Sequence, residues 1–287
     1  MKKWGFLLFI IIIFFIGGQV YSPSLDIELK SQLSSYEQVK NSKELEEVQV
    51  GEHQLYEGDL LLVNRENTAE KHGIKKDLVD LPSHPELIEG FSLYENQLFL
   101  SKDITEKFSN MMADAQADGV SNFIITSGYR SFEQQESLYQ EMGSSFALPA
   151  GHSEHHLGLS LDIGSTEMKM EKASEGKWIE ENSWKYGFIL RYPKDKTHIT
   201  GIEYEPWHIR YVGLPHSVIM KEKNFVLEEY LAYLKNEKRI SVKANDKNYL
   251  ISYYPVLGTE NIRIQKDSSY EISGDNMEGI IVTEHRE

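Results

Sequence analysis

The chain has 287 residues, with 45 Asp and Glu against 30 Lys and Arg, 40% hydrophobic residues, 26% charged residues and no cysteine. This is the composition of a folded globular protein with apolar material for one good-sized core, or one core plus a small appendage; a formal net charge of −15 argues against a face that neutralises nucleic-acid phosphates, which needs clustered Lys and Arg. Without cysteine there is no thiol catalysis, thiolate metal site or disulfide framework, so any chemistry falls to His, Asp, Glu, Ser, Tyr, Lys or Arg.

Lys2 and Lys3 precede an unbroken apolar run from Phe6 to Ile16, and the stretch from Trp4 to Val20 approaches the roughly 20 residues that span a bilayer. Residues 1–20 therefore read as a signal or a single membrane anchor with the N-terminus inside, and the lack of an A-x-A cleavage site favours the anchor. The remainder of the chain is then expected outside the cytoplasmic membrane, secreted if the segment is cleaved. Residues 21–54 are rich in Ser, Gln, Glu and Lys and read as a polar stalk, since such a composition buries little. The texture turns globular near Leu60-Leu61-Leu62-Val63, which sets a domain over 55–240.

Within that domain Ile104, Phe108, Met111, Met112 and Ala115 recur at helical spacing before Gly119, predicting an amphipathic helix over 102–118. Phe123 to Thr126 reads as a short buried strand. Ser131 stands three before Gln134, a capping box opening a helix that ends near Gly143. Arg130 is thereby held at a strand-to-helix junction. Leu157 to Ile163 reads as a third strand, alternating large apolar residues with Gly158, Ser160 and Asp162. A helix over about 176–186, strands over 187–190 and 205–212, and a closing helix marked by Leu227, Leu231 and Leu234 follow. The Val, Ile and Tyr segments 241–255 and 270–284 suggest a small β-rich appendage over 241–287.

The histidines carry the chemistry. His152, His155 and His156 lie within five residues, Asp162 follows His155 by seven, and Glu205-Pro206-Trp207-His208 supplies another carboxylate and imidazole. Two His and one carboxylate, with a Glu left free, is the ligand count of a catalytic zinc site that keeps a fourth position for water. A continuous strand would hold residue 155 or 156 roughly 20 Å from Asp162 at about 3.3 Å per residue, so the chain must bend, and Gly158 is the available hinge. Once it bends, strand parity does not choose between His155 and His156. Pro206 disfavours a helical Glu205, which excludes a helical H-E-x-x-H site.

Ser153-Glu154-His155-His156-Leu157-Gly158-Leu159-Ser160-Leu161-Asp162 resembles the S-x-H-x-x-G-x-[AS]-x-D motif of the zinc D,D-peptidases, and Glu205-Pro206-Trp207-His208 resembles their E-x-W-H motif. Ser127-Gly128-Tyr129-Arg130-Ser131 with Gln135 is similar to their upstream S-G-Y-R-[ST]…Q block, and the likeness runs from about residue 55 to 240. With a membrane segment in front, the chain most resembles the VanY-type D-alanyl-D-alanine carboxypeptidases of glycopeptide-resistant bacteria. The resemblance implies an α+β fold, a small antiparallel sheet flanked by helices, with the β appendage behind it. It implies one zinc per chain on His155, Asp162 and His208, which breaks the tie in favour of His155. Glu205 would be the general base and Arg130 would grip the substrate or the developing oxyanion. Ser153 and Gln135 would contact the C-terminal end of the peptide. The implied reaction is hydrolysis of the terminal D-Ala from peptidoglycan precursor pentapeptides ending in D-Ala-D-Ala.

Other readings stand beside these. Cleavage of another stem-peptide bond by an L,D-carboxypeptidase or endopeptidase would use the same motifs, and an inactive wall-binding module would keep the fold without needing Glu205. His152 and His156 read as partners that orient a ligand or as plain loop residues, and His53, His72, His84, His198, His216 and His285 as surface residues. Ser174-x-x-Lys177 matches a serine-peptidase pattern in letters, but it contains Gly176, reads as loop and lacks the accompanying motifs. Trp178, Trp184 and Tyr192 read as core, with Trp207 and Tyr211 as pocket candidates. Oligomeric state leaves no trace in the sequence.

Overall fold

This computed structural model describes residues 45–144, 147–256, 258–266 and 268–286. The apolar run of residues 1–20 and most of the expected stalk lie outside these residues. Among the described residues no helix is long and apolar enough to cross a membrane.

Strand β1 is Leu45–Val50, β2 Leu78–Asp80, β3 Phe91–Leu93 and β4 Phe99–Ser101. Helix α1, Lys102–Ala117, starts where the Ser101 hydroxyl accepts the Ile104 N–H, and its apolar stripe is wholly buried. Then come β5 Phe123–Ser127, α2 Phe132–Met142, β6 Ser160–Ser165, α3 Ser174–Asn182, β7 Phe188–Tyr192, the single turn α4 Thr197–Thr200, and β8 Glu205–Tyr211. Helices α5 His216–Lys223 and α6 Leu227–Glu237 lead into β9 Arg239–Ala244, β10 Lys247–Pro255, β11 Glu260–Gln265, β12 Tyr270–Gly274 and β13 Gly279–Arg286.

A five-stranded sheet, ordered β3-β5-β6-β8-β7, carries the site. Its pairings are antiparallel except β3 with β5, which run parallel, so the expected antiparallel sheet has one mixed edge. One face of β5 and β6 presents Phe123, Ile125, Leu161 and Ile163 to the α1 stripe. The alternation that buries these residues sends Ser160 and Asp162 to the opposite face. The expected third strand begins later than 157, because Glu154–Leu157 forms a tight 3-10 turn closed by Gly158 at φ +72°. Only glycine suits that position, since a Cβ would also stand 2.8 Å from Leu78 Cδ2. This is the bend that lets His155 fold back over the sheet.

The C-terminal sheet, ordered β12-β13-β10-β9, is β-rich as expected but is no loose appendage. Ile240, Val242, Tyr249, Ile251 and Ile281 share one apolar cluster with α5, α6, Leu60, Leu62, Ile189 of β7 and Val212 just after β8. The stalk boundary also moves. Residues 45–54, expected as stalk, are folded: β1 pairs antiparallel with β11 from Leu45↔Gln265 to Val50↔Glu260, and Val50 packs with Leu55, Ile262 and Ile264. A strand with one face outward keeps a polar average composition, which is what disguised it.

His216, expected on the surface, is buried between Tyr230 and Thr283, its ring nitrogens 2.7 and 3.0 Å from their hydroxyls. Burial pushes its pKa down to about 3. The expected helix over 176–186 ends at Asn182 and finishes as a 3-10 turn before Gly187. Ser174 and Lys177 are exposed on the first turn of α3 rather than in a loop.

Candidate active site

Three local devices bring the predicted ligands together. Asp162 and His208 are direct cross-strand partners in the β6–β8 pairing, so the sheet itself sets them side by side. His155 arrives from the turn before Gly158, with its ring edge-on to His208 at 5.0 Å between centroids. Glu205 and His208 are three apart and would face opposite ways on a regular strand. In the β7–β8 pairing, however, Leu190 pairs with Ile209 and Tyr192 with Glu205, so residues 206–208 stand opposite Arg191 alone. The strand is irregular across this stretch, and Glu205 Oε2 comes to 4.0 Å from His208 Nδ1.

The distances are those of a ligand cluster. His155 Nε2 lies 3.3 Å from Asp162 Oδ2 and His208 Nδ1 lies 2.9 Å from Asp162 Oδ1. One donor atom from each of the three residues falls within 4.8 Å of the others. Tetrahedral donors at zinc bond lengths of 2.0–2.2 Å stand roughly 3.4 Å apart, so donors within 4.8 Å of one another are close enough to contract onto one ion. The tautomer of His155 fits too: Nδ1 is 2.6 Å from the Gly128 carbonyl, which only accepts, so Nδ1–H donates and Nε2 is left with its lone pair. Position 128 has room only for glycine, because a Cβ there would collide with the Phe99 carbonyl at 2.3 Å.

His156 is not a ligand. Its Nε2 accepts the Gly151 N–H at 3.0 Å, its Nδ1–H donates to the Arg130 carbonyl at 2.7 Å, and the ring stacks on Phe132 at 4.1 Å. Both nitrogens are thus engaged, and the ring braces Arg130. His152 donates to the Asn64 carbonyl at 2.8 Å and ties down a loop.

Arg130 stands at the β5–α2 junction, and the expected Ser131–Gln134 capping box is present. Its guanidinium donates to Gln135 Oε1 at 2.7 Å and Ser127 Oγ at 2.8 Å, leaving other N–H groups of the fork for an anion. Burial lowers its pKa, while the charges of Asp162 and Glu95 oppose that shift. Gln135 is 1% exposed and its amide also donates to the Leu148 carbonyl at 2.6 Å. It is brought to Arg130 rather than into the open site. The Ser153 hydroxyl caps the turn by accepting the His155 N–H at 3.4 Å. Trp207 is 36% exposed beside Glu205 and His208, whereas Tyr211 packs inward on Phe188 at 5.2 Å. Tyr192 is buried as expected, and its ring covers His208 at 5.0 Å.

Charge separates the site's carboxylates by function. Burial favours a neutral Asp162, but the charge and hydrogen bond of His155, with those of His208, hold it well below the usual carboxylate range. Burial raises Glu205 to about 7, with Asp162 and Glu154 adding to the rise and His208 opposing it. For His208, burial works downward but the hydrogen bonds and charges of Asp162 and Glu154 outweigh it, raising the pKa to about 9. Burial pushes His155 down, leaving it a neutral donor.

The sequence reading missed Glu154, Arg191 and Arg210. All three side chains are fully buried: Glu154 Oε1 accepts from Arg191 Nε at 2.8 Å and Arg210 Nη1 at 2.9 Å, and Glu154 Oε2 lies 3.4 Å from His208 Nε2. A charged residue inside each of the apolar runs 188–192 and 207–212 was the signal on offer, since Arg is almost never fully buried without a partner.

The family model for VanY, D-alanyl-D-alanine carboxypeptidase, matches residues 97–214. A D-alanyl-D-alanine carboxypeptidase of Enterococcus faecium is 53% identical over 99% of this chain and 96% of its own length. Among solved structures, the vancomycin-resistance D,D-dipeptidase VanXYg with a D-Ala-D-Ala phosphinate analogue is 30% identical at TM-score 0.74, covering 84% of this chain and 99% of that one. A vancomycin-resistance D,D-pentapeptidase VanY in complex with Zn(II) is 32% identical at TM-score 0.50, covering 60% of this chain and 98% of that one.

Proposed function

The chain belongs to the VanY family of D-alanyl-D-alanine carboxypeptidases, and from that membership we propose how its residues remove the C-terminal D-Ala from peptidoglycan precursor pentapeptides ending in D-Ala-D-Ala, contributing to glycopeptide resistance. The convergence of His155, Asp162 and His208 within 4.8 Å carries the assignment, because two imidazoles and a carboxylate are the protein share of a hydrolytic zinc centre. We assign one zinc per chain to these three side chains. Bound there, zinc supplies Lewis-acid polarisation of the scissile carbonyl and acidifies water enough for attack near neutral pH.

The remaining work belongs to the chain. Glu205, whose carboxyl is raised to about 7 in the metal-free protein, first by burial, is the group placed to take a proton from the attacking water and hand it to the leaving D-Ala amine. Arg130 offers a fixed fork of donors to the peptide's C-terminal carboxylate or to the oxyanion. Ser127 and Gln135 hold that fork in place, so Gln135 serves the substrate through Arg130. Ser153 shapes the turn that presents His155, and we assign its hydroxyl to the C-terminal end of the peptide. In a protein of net charge −15, a fixed guanidinium is a selective feature for an anionic chain end.

We further propose that residues 1–20 anchor the protein in the cytoplasmic membrane with the enzyme outside, on the strength of Lys2, Lys3 and the apolar run. Protease treatment of wall-stripped cells then removes the enzyme from intact cells; recovery of full-length protein in the cytosol refutes this location.

The reaction is tested with full-length protein in detergent micelles, a muramyl pentapeptide, and mass spectrometry of products with and without chelator. The expected products are tetrapeptide and free D-Ala, lost with chelator and restored by zinc. Cleavage only between other stem residues would assign the L,D-carboxypeptidase or endopeptidase reading instead, and tight zinc binding with no cleavage would assign the binding module.

A further inference from the structure

The roles assigned above leave a fully buried charged cluster without a task. Glu154, Arg191 and Arg210 have no side-chain exposure, and Glu228 of α6 adds a second carboxylate that accepts from Arg191 Nη1 at 2.9 Å and Nη2 at 2.7 Å. Withdrawing such groups from water costs several kcal/mol per ion, and apolar residues of similar volume often serve stability as well or better. Stability is therefore a weak reason for the cluster, and its point of contact with the site is the better clue. That contact is Glu154 Oε2 against His208 Nε2, 3.4 Å apart.

We propose that Glu154 is a positioning residue: its carboxylate, clamped between two guanidiniums, fixes His208 in the tautomer and orientation that offer Nδ1 to the metal. The proposal rests on the zinc reading of the site. Nδ1 is the nitrogen beside Asp162, at 2.9 Å from Oδ1, so a neutral ligating ring must carry its proton on Nε2. That proton needs an acceptor, and Glu154 Oε2 is the group placed to take it. Two arginines and the Ser160 hydroxyl, 3.3 Å from Oε2, all donate to this carboxylate, which leaves it an acceptor and never a donor. The opposite tautomer would set a lone pair against an anion.

The clamp is rigid because its arginines are themselves held. Arg191 is gripped by both oxygens of Glu228, and Arg210 donates to the carbonyls of Tyr211, Asp59 and Leu61 at 3.0 Å each. The His208 ring is thus steadied from β6, β7, α6 and the 59–61 loop through one carboxylate, and Tyr192 covers its face. Groups of this kind behind a metal-bound imidazole typically govern metal affinity by 10–100-fold.

Glu154→Gln separates this role from a structural one. The amide oxygen goes to the arginines and the NH2 then faces Nε2, which favours the tautomer with its proton on Nδ1. Arg191 keeps Glu228 and Arg210 keeps its three carbonyls, so the fold has support. Full-length Glu154→Gln in micelles is expected to show wild-type circular dichroism, zinc binding weakened roughly 10–100-fold in competition with a chromogenic chelator, and an unchanged KM at saturating zinc. In zinc-loaded wild type, the His208 ring should show a protonated, exchange-protected Nε2 in long-range 1H–15N spectra, and the variant should lose that protection. Should Glu154→Gln fail to fold, Glu154→Asp keeps the charge and the arginine pairs but withdraws the carboxylate from Nε2, and the same loss of affinity is expected. Wild-type zinc affinity in the folded variant, or a His208 that binds zinc through Nε2, overturns the proposal. Because zinc is read without peptide, failure of the peptidase reaction and failure of this inference are distinguishable.

Discussion

Glu205→Gln tests the chemistry and the electrostatics of the site together. The folded protein holds this carboxyl at about 7 instead of 4.5, first through burial and then through the charges of Asp162 and Glu154. A raised carboxyl pKa means the folded state favours the neutral form. Its contribution is therefore intact below 4.5 and lost as pH rises through about 7. At 1.36 kcal/mol per pH unit, the rise from 4.5 to about 7 makes an ionised Glu205 cost the metal-free protein at most about 3 kcal/mol at pH 8. Glutamine keeps the shape without the charge and should recover most of that, so the metal-free variant is expected to unfold at higher denaturant than wild type at pH 8, with the gap closing below pH 5.

The same substitution should leave zinc in place, since the cluster of ligand atoms excludes Glu205, yet lower the rate by roughly 10²–10⁴, the range for losing one general acid–base group. In wild type, kcat/KM should fall on the acid side at or below pH 7, because the base works only when deprotonated and the bound cation draws its pKa downward; Glu205→Gln should erase that limb. The measurements are denaturant unfolding of the chelated protein at pH 5 and 8, zinc content of the purified variant, and the pH profile of D-Ala release. Near wild-type turnover refutes the base assignment. Loss of zinc would show that Glu205 is a ligand, and an unchanged stability gap would refute the electrostatic account.

The other expectations follow from the same geometry. His155→Ala and His208→Ala should each sharply lower zinc content by metal analysis, because a three-ligand site depends on every member; full occupancy in both variants rejects the cluster. Arg130→Ala should lower kcat by roughly 10²–10³, the scale of removing one oxyanion donor, and Arg130→Lys should recover only part because it lacks the planar fork; a wild-type rate in Arg130→Ala removes Arg130 from the mechanism. His216, held near 3 by burial against about 6.5 in the unfolded chain, contributes stability that is full above pH 6.5 and lost as pH falls toward 3, about 2 kcal/mol of it by pH 5. Denaturant midpoints at pH 7 and 5 should accordingly fall further in wild type than in His216→Gln, and parallel falls would show that His216 does not titrate across folding.

Which parts of the molecule were legible in the sequence depends on how far apart the interacting residues lie. The α1 stripe, the Ser131–Gln134 box and the Gly158 bend are settled within a turn or two of chain, and each stands where spacing placed it. The ligands and Glu205 were legible as two short motifs, yet the ligands' convergence needed the β6–β8 register and the approach of Glu205 needed the irregularity opposite Arg191, neither of which has a local sign. Glu154 occupies a variable position of its motif, and the arginines that neutralise it come from 37 and 56 residues away. His216 is enclosed by Tyr230 and Thr283, 14 and 67 residues on, and only the chain's return brings the second of these to it. The stalk reading failed for 45–54 for the same reason, since a half-exposed strand is apolar enough only once β11 lies beside it. A buried charge is tolerable only with its partners in place, so the least legible residues here are also the ones most tightly coupled to the rest of the fold. That coupling makes Glu154, silent in the motif, the position from which the metal-binding geometry of His208 is most directly tested.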